Sequence, residues 1–425
     1  MENTFWDAEI ETISRDELEK LQFKRLKYQL NRCYSRSYLY KRKFKKAGIH
    51  PSDIVKLSDL QKIPFLYKGD LRQEQTYTGY LVTEKRIVEV YPTSGSTGKP
   101  VLNFWTEFDR DYITHLTART LWSMGLREGQ IIQNAFKYEN WAVGITIHRA
   151  VQMIGGMVIP VGSGRIPKQI EYLLNIKPNA ITALPSFALE LGYRLRDMGY
   201  SGDDLSLEFG AFGGEPGASI PSIRKKLEEL LGIDAYDYYG LMEIAPTFAS
   251  ECKEKSGLHW SEDCHLIEVV DPKTGEPVSE GELGVLVITH LVKEACPLIR
   301  YWTGDLTKIE LERCGCGRTH ARSPGGIIGR MDDLIVYHGV KVFPSEVEEL
   351  LYNFPEVRNV LEVSQDDSGL IVELSLNCTS MPFELVEKKL SEYLTEYFEI
   401  PVRCKNVSND GLHIRSTHKN RKLLL

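Results

Sequence analysis

Residues Tyr91 to Pro100 read Y-P-T-S-G-S-T-G-K-P and lie between two strand-like runs, Ile87 to Tyr91 and Val101 to Trp105. A Gly/Ser/Thr-rich stretch this short, with extended segments on both sides, reads as a built loop and not as a linker. Ser94, Gly95, Ser96, Thr97, Gly98 and Lys99 leave a backbone with little bulk, many N–H and hydroxyl donors, and a cation. Those are the groups a loop needs to wrap an anionic phosphate. The spacing excludes a Walker loop, which sets four residues between its glycines and then runs Gly-Lys-Ser/Thr into a helix. Here two residues separate Gly95 from Gly98, and Pro100 follows Lys99, removing an N–H and discouraging an immediate helix.

At 425 residues the chain is too long for one compact core and implies two or three domains or subdomains. Its 42% hydrophobic and 26% charged residues are ordinary for a soluble globular enzyme and exclude a disordered or collagen-like chain. The net charge of −7 is mild, and lysines and arginines are scattered apart from the Lys41–Lys46 cluster, so no nucleic-acid partner is expected. The N-terminal M-E-N-T-F-W-D-A-E-I is acidic, lacks an apolar segment and does not read as a signal peptide. No apolar run approaches membrane-spanning length, so no membrane partner is expected either. Asn377 and Asn406 stand in glycosylation-type triplets that are chance matches in such a chain. Eight cysteines then read as reduced thiols or metal ligands, and the expected location is cytoplasmic.

Along the chain, Ser14 and Glu17 form a capping-box pattern ahead of Phe23, Leu26 and Leu30 at helical steps. Strand-like runs at Met157–Val161 and Ala180–Leu184 alternate with helical patterns such as Ser222–Leu231, which points to an α/β layer with a parallel sheet. From about Ile267 the texture changes. Ile267–Val270, the turn D-P-K-T-G-E-P and Leu283–Leu291 read as antiparallel strands of a sheet or barrel attached to the α/β core. Gly325, Gly326 and then Gly329-Arg330 mark a break. Beyond it Ser345 and Glu348 fit a capping box for a helix over Ser345–Tyr352, followed by strands at Val360–Val363 and Leu370–Leu376 and a helix at Glu384–Tyr397. This is the pattern of a small α+β lid.

Five segments in order carry a resemblance. The loop T-S-G-S-T-G-K-P is similar to the nucleotide loop of the adenylate-forming ligases, which activate a carboxylic acid with ATP as an acyl-AMP. Y-Y-G-L-M-E at Tyr238–Glu243, Y-W-T-G-D at Tyr301–Asp305, G-R-M-D-D-L-I at Gly329–Ile335 and R-S-T-H-K at Arg415–Lys419 resemble further segments of the same ligases. The chain looks most like the phenylacetate–CoA ligase group over nearly its whole length. S-Y-L-Y-K-R-K-F-K-K-A-G-I-H-P, D-L-Q-K-I-P-F-L-Y-K-G-D-L-R, L-P-S-F, G-G-E-P, E-C-K-E-K-S-G-L-H-W-S-E-D and P-L-I-R-Y-W-T-G-D carry that likeness. The resemblance implies an α/β fold. A large N-terminal adenylation domain over 1–330, with α/β layers and a β-barrel-like subdomain, would bear a small mobile α+β lid over 331–425 that turns about Asp332.

A carboxylate attacking ATP faces a polyanion, so such a site must neutralise charge and hold its groups in line. By resemblance the Ser94–Lys99 loop embraces the departing phosphates and Glu243 holds Mg²⁺, which binds through few carboxylates plus substrate phosphates. Asp305 accepts from the ribose hydroxyls, Arg330 reaches ribose or phosphate, and Tyr239, beside Tyr238 and Gly240, offers a stacking face for adenine. Asp237 would accept from the adenine amine, with Gly213, Gly214, Glu215 and Pro216 along the base edge. Lys419 would bridge the acyl oxygen and the α-phosphate, with Arg421 and Lys422 as alternative cations.

The acid would lie near Tyr138, Trp141, Ala142, Gly144, Phe187 and Gly213, and Glu139 and Asn140 would select a polar substituent if they point inward. Two positions depart from the family pattern. Met242 replaces a Ser or Thr that contacts the α-phosphate, a bond a thioether cannot donate, and His418 replaces a glycine. The expected reaction is acyl-AMP formation from an aryl or arylacetic acid, then transfer to coenzyme A. Transfer to a carrier-protein thiol, an amine or a deazaflavin remains open, as do a non-catalytic relative and a homodimer. Separately, Cys252 and His259 in E-C-K-E-K-S-G-L-H and Cys314 and Cys316 in C-G-C-G-R supply three thiolates and one imidazole. That set fits a closed structural Zn²⁺ site, with Cys264 and His265 as nearby substitutes.

Overall fold

The computed structural model describes residues 4–73, 81–93, 100–139, 141–377 and 381–407. The loop residues Ser94 to Lys99, Asn140, and the C-terminal residues His418, Lys419, Arg421 and Lys422 lie outside the described residues. The chain forms two compact units. One comprises Met1–Gln130, Lys137–Gly162 and Tyr238–Ile327, the other Ile131–Phe136, Ser163–Asp237 and Ile328–Leu425.

In the first unit the helix Arg15–Arg36 starts at Ser14, whose hydroxyl oxygen accepts from the Glu17 N–H and whose proton goes to the Glu17 carboxylate at 2.6 Å. Leu18, Leu26, Leu30 and Cys33 form its buried stripe at helical spacing. The strands His265–Val270, Gly284–His290 and Tyr301–Thr307 pair antiparallel in that order. A bridge from Leu66 to Tyr301 adds the segment before the helix Lys68–Gln73 to the edge of this sheet. Arg300 fixes that edge: its guanidinium donates to the Gln61 and Ile63 carbonyls and pairs with Glu268 at 2.9 Å. A second antiparallel group joins Tyr238–Leu241 to Ala245–Ser250, Leu258–Trp260 and Arg322–Ser323. One buried core, from Leu26 and Phe44 to Trp260 and Ile288, lies under all of these.

The second unit is built on parallel strands. Ile131–Asn134, Ala180–Ala183, Phe209–Phe212 and the start of Asp234–Leu241 lie side by side. Ala180–Ala183 and Phe209–Phe212 are buried at every residue, as strands covered on both faces must be. Helices Pro185–Asp197 and Pro221–Leu231 follow, each opened by a proline in its first turn. In the C-terminal part, Val357–Asp366 pairs antiparallel with Gly369–Leu376, which pairs parallel with Val402–Asn406 under the helix Phe383–Phe398. Leu351, Val357 and Leu390 share one core with Leu189, Leu191 and Leu227. Polar ties accompany it: Glu349 accepts from the Ser222 hydroxyl at 3.0 Å, and the Lys226 ammonium donates to the Val357 carbonyl at 2.6 Å.

The α/β reading and the late antiparallel strands agree with this architecture. The capping box at Ser345 and Glu348 does not form. The helix runs Pro344–Leu351 behind Phe343, because Pro344 takes the first helical position, and the Ser345 hydroxyl donates to the Ile328 carbonyl at 2.7 Å. Among the described residues no helix is long and apolar enough to cross a membrane.

Candidate functional site

In the first unit, the strand through Tyr238 and Tyr239 turns back at Met242–Glu243 into Ala245–Ser250. Gly240 permits this turn, since a Cβ there would strike the Pro246 carbonyl oxygen. Tyr239 packs edge-on against Phe248 and Trp260, with ring centroids 5.3 and 5.8 Å away, so its hydroxyl has a fixed direction. That hydroxyl donates to the Asp305 carboxylate. Asp305 is buried near the end of Tyr301–Thr307, and its N–H donates to the Thr303 hydroxyl. Two motif segments far apart in sequence therefore meet at one carboxylate.

Glu243 is nearly buried, its side chain 8% exposed, and the Lys68 ammonium pairs with it at 2.6 Å. Lys68 reaches it from the segment that Leu66 fastens to Tyr301, on the strand that carries Asp305. Lys68 was not among the site residues read from sequence. Its segment, F-L-Y-K-G-D-L-R, was legible as a likeness only, and its partner is remote in the chain. The Met242 carbonyl accepts from the Asn103 side chain at 2.6 Å, which fixes the turn through the main chain.

Tyr138 meets the His148 Nδ1 at 3.2 Å, and burial pushes the His148 imidazole down from its ordinary pKa. Trp141 stands just ahead of the helix Ala142–Ile154, in which Ala142 and Gly144 are buried. Next along, Arg149 forms a two-bonded pair with Glu89, which also accepts from the Tyr91 hydroxyl at 2.8 Å. This joins the helix to the strand ahead of the Ser94–Lys99 loop.

In the second unit Asp237 is buried at the end of a parallel strand. Gly213, Gly214, Glu215 and Pro216 form the turn after Phe209–Phe212, with Gly214 at φ 90°. The Glu215 carboxylate accepts from the Ser186 N–H at 2.7 Å and so caps the helix Pro185–Asp197. Phe187 on that helix is buried in the core. Arg330 stands 3.9 Å from the Asp332 carboxylate, and the Asp332 side chain is 85% exposed.

The four residues Cys252, His259, Cys314 and Cys316 come together, their ligand atoms all within 4.8 Å of one another. Cys252 and Cys314 sulfurs are 3.8 Å apart, and the Cys316 sulfur is 3.6 Å from His259 Nε2. A disulfide needs about 2.05 Å, and every cysteine among the described residues is free of one. The edges of a tetrahedron with zinc–sulfur bonds of about 2.3 Å come to about 3.8 Å, which matches. Charge points the same way. The Cys316 thiol is pushed well down, by its bond with Cys252 first and then by His259. The same bond pushes Cys252 up. Burial pulls the His259 imidazole down, but the thiolates of Cys314 and Cys316 raise it overall. The cluster is one that a cation would satisfy. Cys264 and His265 are not in it.

No family model matches the chain. It is 39% identical over 396 residues to the phenylacetate-coenzyme A ligase of Thermus thermophilus, covering 92% of this chain and 88% of the relative. It is 37% identical over 385 residues to the phenylacetate-coenzyme A ligase of Escherichia coli, covering 90% and 86%. Among solved structures, a 2-hydroxyisobutyryl-CoA ligase in the postadenylation state in complex with 2-HIB-AMP superposes with a TM-score of 0.90 at 25% identity, covering 97% of this chain and 91% of that one. Fold and relatives define an ATP-dependent acid–CoA ligase of the adenylate-forming class. The chain belongs to the phenylacetate-coenzyme A ligase family.

Proposed function

We propose that this ligase converts phenylacetic acid or a close aryl analogue to its acyl-AMP and then to the acyl-CoA. The observation that best supports a working nucleotide site is the bond from Tyr239 to Asp305, because it holds the carboxylate that would bind ribose against the strand whose turn carries Glu243. Glu243 would hold Mg²⁺, and the Lys68 ammonium beside it marks a position where that carboxylate requires positive charge. The ion would supply charge neutralisation at the phosphates. Ser94 to Lys99 would grip those phosphates, Asp237 and the 213–216 turn the adenine, and Arg330 the ribose or phosphate. Tyr138, Trp141, Ala142, Gly144 and Phe187 would shape the acid pocket.

Residues 331–425 would act as the lid, with Asp332 as pivot, over an adenylation domain of 1–330, and Lys419 would serve the first half-reaction. Coenzyme A is the proposed acceptor, with a carrier-protein thiol, an amine or a deazaflavin, a non-catalytic relative and a homodimer as the alternatives, and a cytoplasmic setting suits both cosubstrates. Cys252, His259, Cys314 and Cys316 would hold a structural Zn²⁺, a closed shell with no open catalytic position. Purified protein is then expected to carry about one zinc per chain, measured by elemental analysis. Coupled assays over a panel of acids test the substrate: phenylacetate is expected to outpace aliphatic acids, and a preference for the latter refutes the assignment. Lys419→Ala is expected to stop adenylate formation yet leave thioester formation from preformed acyl-AMP. Equal loss of both removes Lys419 from its role.

A further inference from the structure

The turn that carries Cys314 and Cys316 does more than present sulfur. Two residues on, Arg318 is 4% exposed, and its guanidinium faces the Cys316 sulfur at 3.5 Å. Its Nε donates to the Glu11 carboxylate at 2.7 Å, another nitrogen donates to the Thr4 carbonyl at 3.4 Å, and the plane lies 5.2 Å from the Phe5 ring. Glu11 is itself 2% exposed, and its second oxygen accepts from the Asp7 N–H at 2.8 Å. Thr319 adds an N–H to the Glu11 carbonyl at 3.1 Å and a hydroxyl to the Ile13 carbonyl at 2.6 Å. Gly317, at φ 95°, lets Phe5 close over the turn, since a Cβ there would come within 3.2 Å of the ring. The same few residues thus hold two thiols on one side and the segment 4–13 on the other.

We propose that Arg318 is the outer-sphere positioning residue of the Cys/His metal centre, and that metal binding there latches residues 4–13 onto their own unit. This rests on the zinc reading of the four ligands. A buried guanidinium needs negative charge around it. Glu11 supplies one charge, and a dication shared by three thiolates leaves one surplus negative charge on the shell beside Arg318. Removing the metal frees the four ligands from one another, so the 314–318 turn loses its anchor and Arg318 the fixed sulfur it faces at 3.5 Å. The bonds to Thr4, Glu11 and Ile13 all leave from that turn and weaken together. The following helix does not depend on it. Arg15 holds Glu262 with two bonds of 2.6 and 2.8 Å, and the Gln22 amide donates to the Glu262 carbonyl at 3.0 Å. Trp6 keeps a separate hold, donating to His115 Nδ1 at 3.2 Å with its ring 5.3 Å from that of Trp122. Release is therefore local: the ties of 4–13 to the turn open while Trp6 and Arg15–Arg36 stay docked.

Hydrogen exchange read by mass spectrometry on the zinc-loaded full chain, before and after chelation, tests the latch. Exchange in residues 4–13 and 311–320 is expected to rise about tenfold or more, the effect of losing charge-assisted hydrogen bonds to a buried partner, with 15–36 unchanged. Arg318→Gln is expected to free 4–13 to a similar degree with zinc still bound, and Arg318→Lys, which keeps the charge, to free it less. Glu11→Gln repeats the test from the other side if Arg318→Gln does not fold. Zinc present and removable with no change in 4–13 overturns the latch and leaves the zinc reading intact. A chain that binds no zinc overturns both.

Discussion

Glu243 brings a carboxylate into a site with little solvent, and Lys68 answers it at 2.6 Å. Lys68 keeps a third of its side chain exposed, so the pair lies between a surface bridge and a buried one, and its loss is expected to cost about 1–2 kcal/mol. Lys68→Met leaves the Glu243 charge without its ammonium until another cation arrives. Mg²⁺ with ATP is therefore expected to raise the melting temperature of Lys68→Met more than that of the parent protein, by linkage to a better-rewarded site. Equal shifts in a thermal melt would show that Glu243 does not take the ion. The pairing explains why the residue escaped a reading of the sequence. Lys68 sits in an ordinary basic helix start, and only the Leu66–Tyr301 bridge brings it beside the turn of another strand pair. Glu243, Asp305 and the four residues of the Cys/His cluster can be singled out in the sequence because each stands in a short motif whose residue types match a chemistry.

At the level of elements, the turn from Tyr238 to Ala245 determines where Glu243 and the Tyr239 hydroxyl point. Gly240→Ala forces its methyl against the Pro246 carbonyl, and a loss of about 1–3 kcal/mol is expected in urea unfolding, together with slower adenylation. An unchanged midpoint would mean the strands accept the methyl by shifting. The strands His265–Val270 and Gly284–His290 carry a second device. Burial pulls His265 down to about 4 from 6.5, with Lys293 and Arg119 adding to it and Asp263 opposing, and burial also pulls His290 well down. Between pH 6.5 and 4 the unfolded chain binds more protons at His265 than the folded one, so this contribution to stability is complete above 6.5 and fades as pH falls toward 4. His265→Leu is expected to make the acid-side slope of unfolding free energy shallower, and an identical slope would show that His265 titrates alike in the folded and unfolded states.

Sequence pattern served well where one force dominates. The run Ala180–Leu184 reads as a strand because its residues, Thr182 apart, are apolar, and Ala180–Ala183 is buried at each residue as a strand covered on both faces must be. The supposed box at Ser345 and Glu348 failed where two signals competed. Proline at the first helical position fixes φ and has no N–H to cap, so the helix starts at Pro344 without help from the serine.

For the whole molecule, the proposal needs a lid that serves two half-reactions. In this conformation the C-terminal part shares core residues and the Lys226 and Glu349 ties with the 163–237 part of its unit, contacts that a swing must part, while Asp332 is exposed and pairs with Arg330 at 3.9 Å. A pivot must absorb a large change in φ and ψ, and an exposed residue between packed elements can do so. Asp332→Pro, with φ locked, is expected to keep one half-reaction and lose the other, measured separately with acid plus ATP and with preformed acyl-AMP plus coenzyme A. Survival of both places the pivot elsewhere.

Activation of the acid is expected to precede coenzyme A and not to need it. Acid-dependent exchange of labelled pyrophosphate into ATP measures that step alone. With phenylacetate, ATP and Mg²⁺ but no coenzyme A, the account predicts rapid exchange, abolished in Glu243→Gln or Lys419→Ala. Exchange that appears only once coenzyme A is added, or that no aryl acid supports, would contradict it.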